Sequence, residues 1–104
     1  MSDDAPFDYR EIDDVIHGRA RLSVMAYLSG AGTAEFVELR EATATTDGNL
    51  SAALRKLEDA GYVEIEKRFA GRKPQTLARL SDAGREAWLA YLSRIEAMVA
   101  GAKR

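Results

Sequence analysis

Four basic side chains that could bind phosphate groups fall within seven positions of the sequence. They are Lys67, Arg68, Arg72 and Lys73, in the stretch EKRFAGRKPQ. Lysine and arginine position proteins on the phosphate backbone of DNA, and arginine also enters the negatively charged minor groove. We expect Arg68, Arg72 and Lys73 to contact DNA in one of these ways. A solvated loop without a partner is the alternative that the charge pattern alone leaves open.

A second group of polar side chains lies on a predicted helix over residues 47–60. Leu50, Leu54 and Leu57 recur at i, i+4 and i+7, so they form the buried stripe of this helix. Thr46 precedes the helix and is a good N-cap residue. The residues expected on or beside the opposite, exposed face are Asn49, Ser51, Ala52, Arg55 and Lys56.

This exposed helix face could read the bases of DNA. Asparagine can pair with adenine and arginine with guanine, so Asn49 and Arg55 are predicted to read bases. Ser51 could reach a base or a phosphate, and Ala52 could touch a thymine methyl group. Lys56 points in a different direction from Arg55, so we expect it to reach the phosphate backbone or an acidic neighbour.

The start of the same helix is a candidate phosphate site. Backbone N–H groups at a helix N-terminus favour anions, and the hydroxyl groups of Thr45 and Thr46 could join them. Helix capping alone is an equally good interpretation of the two threonines. Asp47 in the first turn suits the helix dipole better than it suits a phosphate.

The distribution of charge along the chain is uneven. The chain has 104 residues and a formal net charge of −2. Residues 1–18 carry six acidic residues and one basic residue, whereas the rest of the chain holds 14 basic and 11 acidic residues. The basic stretch is therefore a local site in an acidic protein. Together with the polar helix face, it predicts double-stranded DNA as the partner.

Several classes of function lack their residues in this sequence. There is no cysteine, and the single histidine, His17, has no set of neighbouring ligands, so we predict no metal site and no cofactor. No nucleophile–base pair and no phosphate-binding glycine motif is present, so we predict that the protein is not an enzyme. The acidic N-terminus is not a signal peptide, and no apolar run reaches the ~18 residues of a membrane span, which predicts a cytoplasmic protein. A small-molecule effector is compatible with these features, but none of them indicates one.

The hydrophobic pattern predicts an α+β, mostly helical fold. Residues 1–8 are expected to be a flexible acidic tail, and residues 9–104 to form a single domain. The predicted helices cover residues 9–17, 19–29, a short stretch from 33 or 34 that buries Phe36, Val37 and Leu39, then 47–60 and 81–100.

Two strands are predicted between the last two helices. Apolar and polar residues alternate along this part of the chain, which is typical of a half-buried antiparallel hairpin. Val63, Ile65 and Phe69 are expected to face inward, and Gly71 to lie in the turn. Pro74 is expected to begin the second strand, where its missing N–H matters least.

This order of elements is that of a winged helix-turn-helix, and the residues carry a resemblance to a known group. The run TTDGNLSAALRKLEDAGYVE, followed by GRKPQT and LSDAG, resembles the winged-helix DNA-binding domains of small bacterial and archaeal transcriptional regulators of the MarR and ArsR types. The resemblance covers roughly residues 12–95. It implies that helix 47–60 enters the major groove and that residues 63–80 form the wing. Ala44 stands at a turn position where such domains usually have glycine.

The resemblance also implies a homodimer, because related regulators bind two half-sites as two-fold dimers. The last helix carries more apolar residues than one buried stripe needs. We therefore expect the N-terminal helix and the long C-terminal dimerisation helix to form the interface. The predicted interface residues are Ile12, Val15, Ile16, Trp88, Tyr91, Leu92, Ile95 and Val99.

The predicted function is sequence-specific regulation of transcription, by a repressor that competes with polymerase for a promoter. One alternative is a protein-interaction adaptor, which would need an acidic or apolar recognition face. Another is an RNA-binding protein, which would need exposed aromatic residues for base stacking, whereas Phe69 is expected to be buried. Arg55 and the basic wing favour DNA over both alternatives.

Overall fold

Four α-helices and a three-stranded antiparallel sheet make up the described part of the chain. The computed structural model describes residues 5–103, so residues 1–4 of the expected acidic tail lie outside the described residues. The elements in chain order are α1 (Arg19–Ala31), β1 (Thr33–Glu35), α2 (Phe36–Thr43), α3 (Asp47–Asp59), β2 (Val63–Ala70), β3 (Lys73–Leu80) and α4 (Asp82–Ala102). The sheet order is β1-β3-β2. The α+β fold with a helix-turn-helix, a wing and a long C-terminal helix is confirmed.

The core lies between the helices and one face of the sheet. Leu50, Leu54 and Leu57 of α3 are buried, as their spacing predicted. Burying one such leucine side chain contributes about 2 kcal/mol relative to exposure, so this stripe determines which face of α3 is left outside. The same core cluster includes residues of the other elements, among them Val24, Met25, Leu28, Leu39, Val63, Ala78, Leu80 and Trp88.

The predicted helix over residues 9–17 is wrong. Only Tyr9–Glu11 is helical, as one short 3-10 turn. The Asp13 carboxylate accepts hydrogen bonds from the backbone N–H groups of Val15 (2.9 Å) and Ile16 (3.3 Å). An aspartate that bonds to nearby backbone in this way competes with helix formation, which is why the apolar spacing alone was misleading.

The same aspartate connects the N-terminal segment to the loop after α3. The Tyr62 hydroxyl donates a hydrogen bond to Asp13 Oδ2 at 2.6 Å. This bond, together with burial, raises the pKa of Tyr62 to about 12. On the other side of the segment, His17 Nδ1 lies 2.8 Å from the Tyr91 hydroxyl of α4. The segment therefore lies against both α4 and the α3–β2 connection.

The predicted helix start at residue 33 or 34 is also wrong, because Thr33–Glu35 is a strand. Ala34 is buried and lies opposite Ala78 of β3, where two small side chains allow the strands to lie over the core. Three residues are too few to show a period of two, so no pattern in the sequence indicates this strand. In the helix that follows, Leu39 is buried as predicted, whereas Val37 is 43% exposed.

The turn between α2 and α3 contains a strained residue. Ala44 has a φ of 54° and lies in the left-handed region, where an L residue with a Cβ is disfavoured. We expect Ala44→Gly to raise the free energy of unfolding by about 1 kcal/mol, because glycine adopts this conformation without steric cost. Urea denaturation followed by circular dichroism measures the change.

A matched control is the residue at the end of α3. Ala60 has a φ of −79° and is exposed, so it has no strain to relieve. Ala60→Gly should leave the protein less stable by about 0.5–1 kcal/mol, since glycine loses more backbone entropy on folding. Equal changes in the two variants would contradict the strain at Ala44.

The C-terminal helix α4 is 21 residues long and begins where the sequence predicted. The Ser81 Oγ accepts a hydrogen bond from the backbone N–H of Gly84 at 2.9 Å, which confirms the predicted N-cap. Within residues 5–103, no helix is long and apolar enough to cross a membrane. The same residues hold no group of three or more histidine, cysteine, aspartate or glutamate side chains that could bind a metal ion.

Candidate nucleic-acid interface

Helix α3 presents a polar face to solvent because its leucines hold the opposite face in the core. Its N-cap, Thr46, accepts a hydrogen bond from the backbone N–H of Asn49 at 3.1 Å, as predicted. The predicted contact residues Asn49, Ser51, Ala52, Arg55 and Lys56 are all exposed. Within the described chain, none of their side chains forms a hydrogen bond or ion pair with another residue. Their donors and acceptors are therefore available to a ligand.

The two threonines before α3, Thr45 and Thr46, differ in whether their hydroxyl groups can donate a hydrogen bond to a phosphate. The Thr43 hydroxyl donates its proton to the Leu39 carbonyl at 2.6 Å, so Thr45 must be the donor in the 3.1 Å contact between the two hydroxyl oxygens. The Thr45 hydroxyl thus has no second proton for a phosphate. The Thr46 hydroxyl accepts from Asn49 and keeps its own proton. The geometry therefore favours Thr46 over Thr45 as a phosphate donor.

A cleft of about 460 Å³ lies beside this helix start. It is lined by the beginning of α3 and by the beginning of α1, which contributes Arg19, Ala20 and Ser23. Sequence reasoning missed Arg19 as a candidate site residue, because only the tertiary fold brings the starts of α1 and α3 together. A cation at the first position of a helix was the one signal that could have pointed to it.

The acidic residue in the first turn of α3 is neutralised by a neighbour. The Asp47 carboxylate pairs with the Arg40 guanidinium at 2.7 Å, and this hydrogen bond raises the pKa of Arg40. Both groups are at the surface, so the pair contributes little to stability. The pair does offset the negative charge of Asp47 next to the helix start. This reduces the electrostatic repulsion that a phosphate would meet at that position.

The wing extends beyond the body of the protein as a two-stranded ribbon. Strand β1 pairs with β3 only up to Leu77, so the hairpin from residue 67 to residue 76 has no third strand. Gly71 has a φ of 66° at the first position of a two-residue turn between Ala70 and Lys73. This is the position at which tight hairpins of type II′ have glycine, so the predicted turn is confirmed.

The basic side chains of the wing are exposed, as predicted. Arg68, Arg72 and Lys73 all lie at the surface. The Arg68 Nε donates to the Gln75 Oε1 at 3.3 Å, and the Gln75 amide in turn donates to Glu35 of β1. Across residues 5–103, no acidic side chain forms an ion pair with any of the three cations. Their positive charge is therefore not offset locally.

Phe69 is exposed, and the expectation that it faces inward is wrong. Its side chain is 72% exposed, whereas Val63 on the same face of β2 is buried and Ile65 is half-buried. The alternation along β2 is real, but the core ends near Ile65 because the ribbon projects past it. Periodicity assigns residues to a face and cannot show how far along the strand that face is covered.

Helix α3 and the wing border a common groove of about 270 Å³. Ser51, Leu54 and Arg55 of α3 line one side, and Ile65 and Lys67 of β2 line the other. Arg55 and Lys67 thus line the same groove, whereas Arg68, Arg72 and Lys73 are not among its lining residues. We call the exposed face of α3, together with the β2–β3 hairpin that borders this groove, the helix–wing face.

The predicted dimer residues separate into three groups. Ile16, Trp88 and Tyr91 are buried in the core of the single chain, so they are not available as a docking surface. Ile12, Val15 and Ile95 are half-buried, and they pack against the same core. Leu92 is 37% exposed and Val99 is 47% exposed. Leu89, which was not among the predicted interface residues, is 58% exposed on the same helix.

Comparisons with known proteins give one consistent answer. A sequence model of the winged helix DNA-binding domain matches residues 20–99. An uncharacterized protein of Methanocaldococcus jannaschii is 33% identical over 81 residues, which are 78% of this chain and 88% of that protein. A transcriptional regulator homologue from Pyrococcus horikoshii superposes with a TM-score of 0.82 at 30% identity, covering 86% of this chain and 89% of its own. A transcriptional regulator of the MarR family from Enterococcus faecalis superposes with a TM-score of 0.73 at 29% identity, covering 86% and 80% of the two chains.

Proposed function

The chain belongs to the winged helix DNA-binding family and is a MarR-like transcriptional regulator, and from this premise we propose how it acts. It is a sequence-specific repressor that binds double-stranded DNA as a homodimer. Helix α3 lies in the major groove, and the wing lies on the backbone or in the minor groove. Binding to a promoter excludes polymerase.

The observation that carries this proposal is the helix–wing face. It joins two side chains of α3 that can pair with base edges, Asn49 and Arg55, to a hairpin whose exposed cations form no ion pair within residues 5–103. Base-edge contacts specify sequence, and backbone contacts position the protein. A surface that offers both kinds of group on adjoining elements fits a duplex better than it fits a small ligand.

A titration on duplex DNA at several salt concentrations tests the proposal. The probe is a duplex enriched by the protein from a randomised pool, since enrichment itself reports sequence preference. The logarithm of the binding constant should fall linearly with the logarithm of salt concentration, with a slope of about −0.9 per phosphate contact. Binding that is insensitive to salt, or a pool from which no duplex is enriched, would remove the proposed function. In vitro transcription from a template with the enriched site upstream of or over the start then tests repression.

Arg55 is the residue most suited to read a base. We expect Arg55→Ala to cost ~1–3 kcal/mol on the enriched duplex, because a bidentate pair with guanine is lost. The loss on an unrelated duplex should be much smaller. Competition between the two duplexes measures both values. Equal losses on the two duplexes would instead make Arg55 a phosphate contact. Lys56→Ala, one position along the helix, is the control expected to weaken both duplexes alike.

The dimer is proposed from the exposed apolar residues of α4. Leu89, Leu92 and Val99 remain exposed on one long helix, whereas Trp88 and Tyr91 of the same helix are buried in the core. We expect Leu92→Glu to turn the dimer into a monomer at tens of micromolar, because the substitution places a charge in an apolar contact. Sedimentation equilibrium measures the mass.

The control for that variant is an exposed apolar residue on another helix. Val37 is 43% exposed in the first turn of α2, so Val37→Glu introduces the same charge away from α4. It should leave the mass unchanged. A wild-type protein that sediments as a monomer at this concentration would rule out the proposed dimer.

The adaptor alternative needs a recognition face that is acidic or apolar. Asn49, Ser51 and Arg55 make the exposed face of α3 polar, with positive rather than negative charge at Arg55. No described feature of α3 therefore favours an adaptor over a nucleic-acid binder.

A further inference from the structure

The tip of the wing carries an apolar group that the proposed function does not use. Phe69 is 72% exposed on β2, and its cross-strand partner on β3 is Pro74, which is also exposed. We propose that Phe69 is a wedge that enters the minor groove, partly unstacks a base step and bends the duplex. This inference rests on the proposed function, because it requires α3 to place the wing against DNA.

The charges around Phe69 indicate what kind of surface it meets. Arg68 precedes it in the chain, Arg72 lies in the two-residue turn that follows, and Lys73 begins β3. None of the three forms an ion pair within residues 5–103. An apolar ring flanked along the ribbon by uncompensated cations fits a ligand that is negatively charged at its edges and apolar inside. The minor groove has this character, with phosphates along both rims and stacked bases and sugars between them.

The ribbon that carries Phe69 is stiff enough to act as a wedge. The hairpin pairs continuously from Val63 opposite Leu80 to Ala70 opposite Lys73. Two pairs from the turn, Gln75 donates to Glu35 of β1 and accepts from Arg68. Because the turn has only two residues, the ring cannot fold back onto the body without breaking this pairing. Little conformational entropy is therefore left to lose when it inserts.

The ribbon is also long enough to bring the Phe69 ring into the minor groove. Strands rise about 3.3 Å per residue, so the stretch from Ile65 to Phe69 places the ring roughly 13 Å beyond the last half-buried position of β2. The minor groove is about 6 Å wide and 7.5 Å deep, which one aromatic side chain can enter. Phenylalanine and leucine are among the side chains that other minor-groove proteins insert between base steps, with bends of about 20–90°.

The experiment compares Phe69→Ala and Phe69→Leu with the unsubstituted protein on the enriched duplex. End-labelled duplexes report the bend by energy transfer, and 2-aminopurine placed at successive steps reports unstacking. We expect the unsubstituted protein and Phe69→Leu to bend the duplex by about 20–90°, and Phe69→Ala to lose most of the bend and of the 2-aminopurine signal. Phe69→Ala should also lower affinity by roughly tenfold, as truncation of an interface aromatic commonly does.

The control is Val37→Ala, which removes an exposed apolar side chain from the body of the protein and should change neither signal. Because Phe69 is largely exposed, melting temperatures should be the same for all variants. A bend angle that persists in Phe69→Ala would overturn the inference while leaving salt-dependent duplex binding, and hence the proposed function, in place. A loss confined to single-stranded RNA, with duplex binding and bending unchanged, would also overturn it.

Discussion

Replacing Gly84 with alanine should lower the free energy of unfolding by about 2–3 kcal/mol, the cost of overpacking a site that cannot yield. A Cβ at this position would lie 2.0 Å from the Tyr62 carbonyl oxygen and 3.0 Å from Leu80 Cδ1. Gly84 is buried in the first turn of α4, where the helix crosses the α3–β2 connection. The clash involves backbone, so no side-chain rotation can relieve it.

The surrounding hydrogen bonds prevent the two segments from separating. The Tyr62 carbonyl accepts from the Ser81 N–H at 3.0 Å, and the Ser81 hydroxyl donates to the Gly61 carbonyl at 2.6 Å. Moving α4 outward to admit the methyl group would break these bonds and open the packing under Leu80. Urea denaturation followed by circular dichroism measures the loss.

Gly30→Ala is the matched control for Gly84→Ala. Gly30 also lies in a helix, but a Cβ there would meet no other heavy atom within 4 Å. Alanine should stabilise the protein at this position by about 0.5–1 kcal/mol, because glycine is the poorer helix former. If the two variants changed stability in the same direction, the close approach of α4 to Tyr62 would be wrong.

Reversing two charges on the wing should have the largest effect on binding. We expect the double variant Arg72→Glu, Lys73→Glu to bind duplex DNA at least about 100-fold more weakly at 0.1 M salt, because two phosphate contacts are lost and two repulsive charges are added. The loss should be similar for every sequence, and the salt slope should become shallower by about two units per wing. Titrations on the enriched and unrelated duplexes measure both quantities.

A second double variant distinguishes an effect of the wing charges on binding from an effect of the overall net charge. Arg85→Glu, Lys103→Glu makes the same change in net charge at two exposed positions, one in α4 and one directly after it. Because the helix–wing face is formed by α3 and the β2–β3 hairpin, this control should keep most of the affinity. Equal weakening by both double variants would show that binding depends on overall charge and would remove the wing from the interface.

The local elements of the proposed site could be predicted from the sequence. The leucines of α3 repeat at helical spacing, Thr46 accepts from the third residue of the helix, and Gly71 adopts the positive φ that the hairpin requires. Each of these depends on residues fewer than ten positions apart. Residue propensities and hydrophobic periodicity carry these signals, so they can be recognised in the sequence without knowledge of the fold.

The errors arose where distant parts of the chain compete with a local pattern. The apolar spacing of residues 9–17 suggested a helix, but Asp13 instead bonds to its own backbone and to Tyr62, 49 residues away. Thr33–Glu35 is a strand because it pairs with the edge of β3. Trp88 and Tyr91 were expected at a dimer interface, but the core of the single chain takes both.

The sequence by itself therefore determined helix α3, the basic hairpin and the membership of a winged-helix group, because short-range spacing encodes them. Only the tertiary structure decided what each element covers. It placed Arg55 and Lys67 along one groove, brought Arg19 to the start of α3, and left Phe69 beyond the edge of the core. The physical reason is that a side chain is buried only where a segment distant in the sequence packs against it. Strand β1 is too short to pack against the wing.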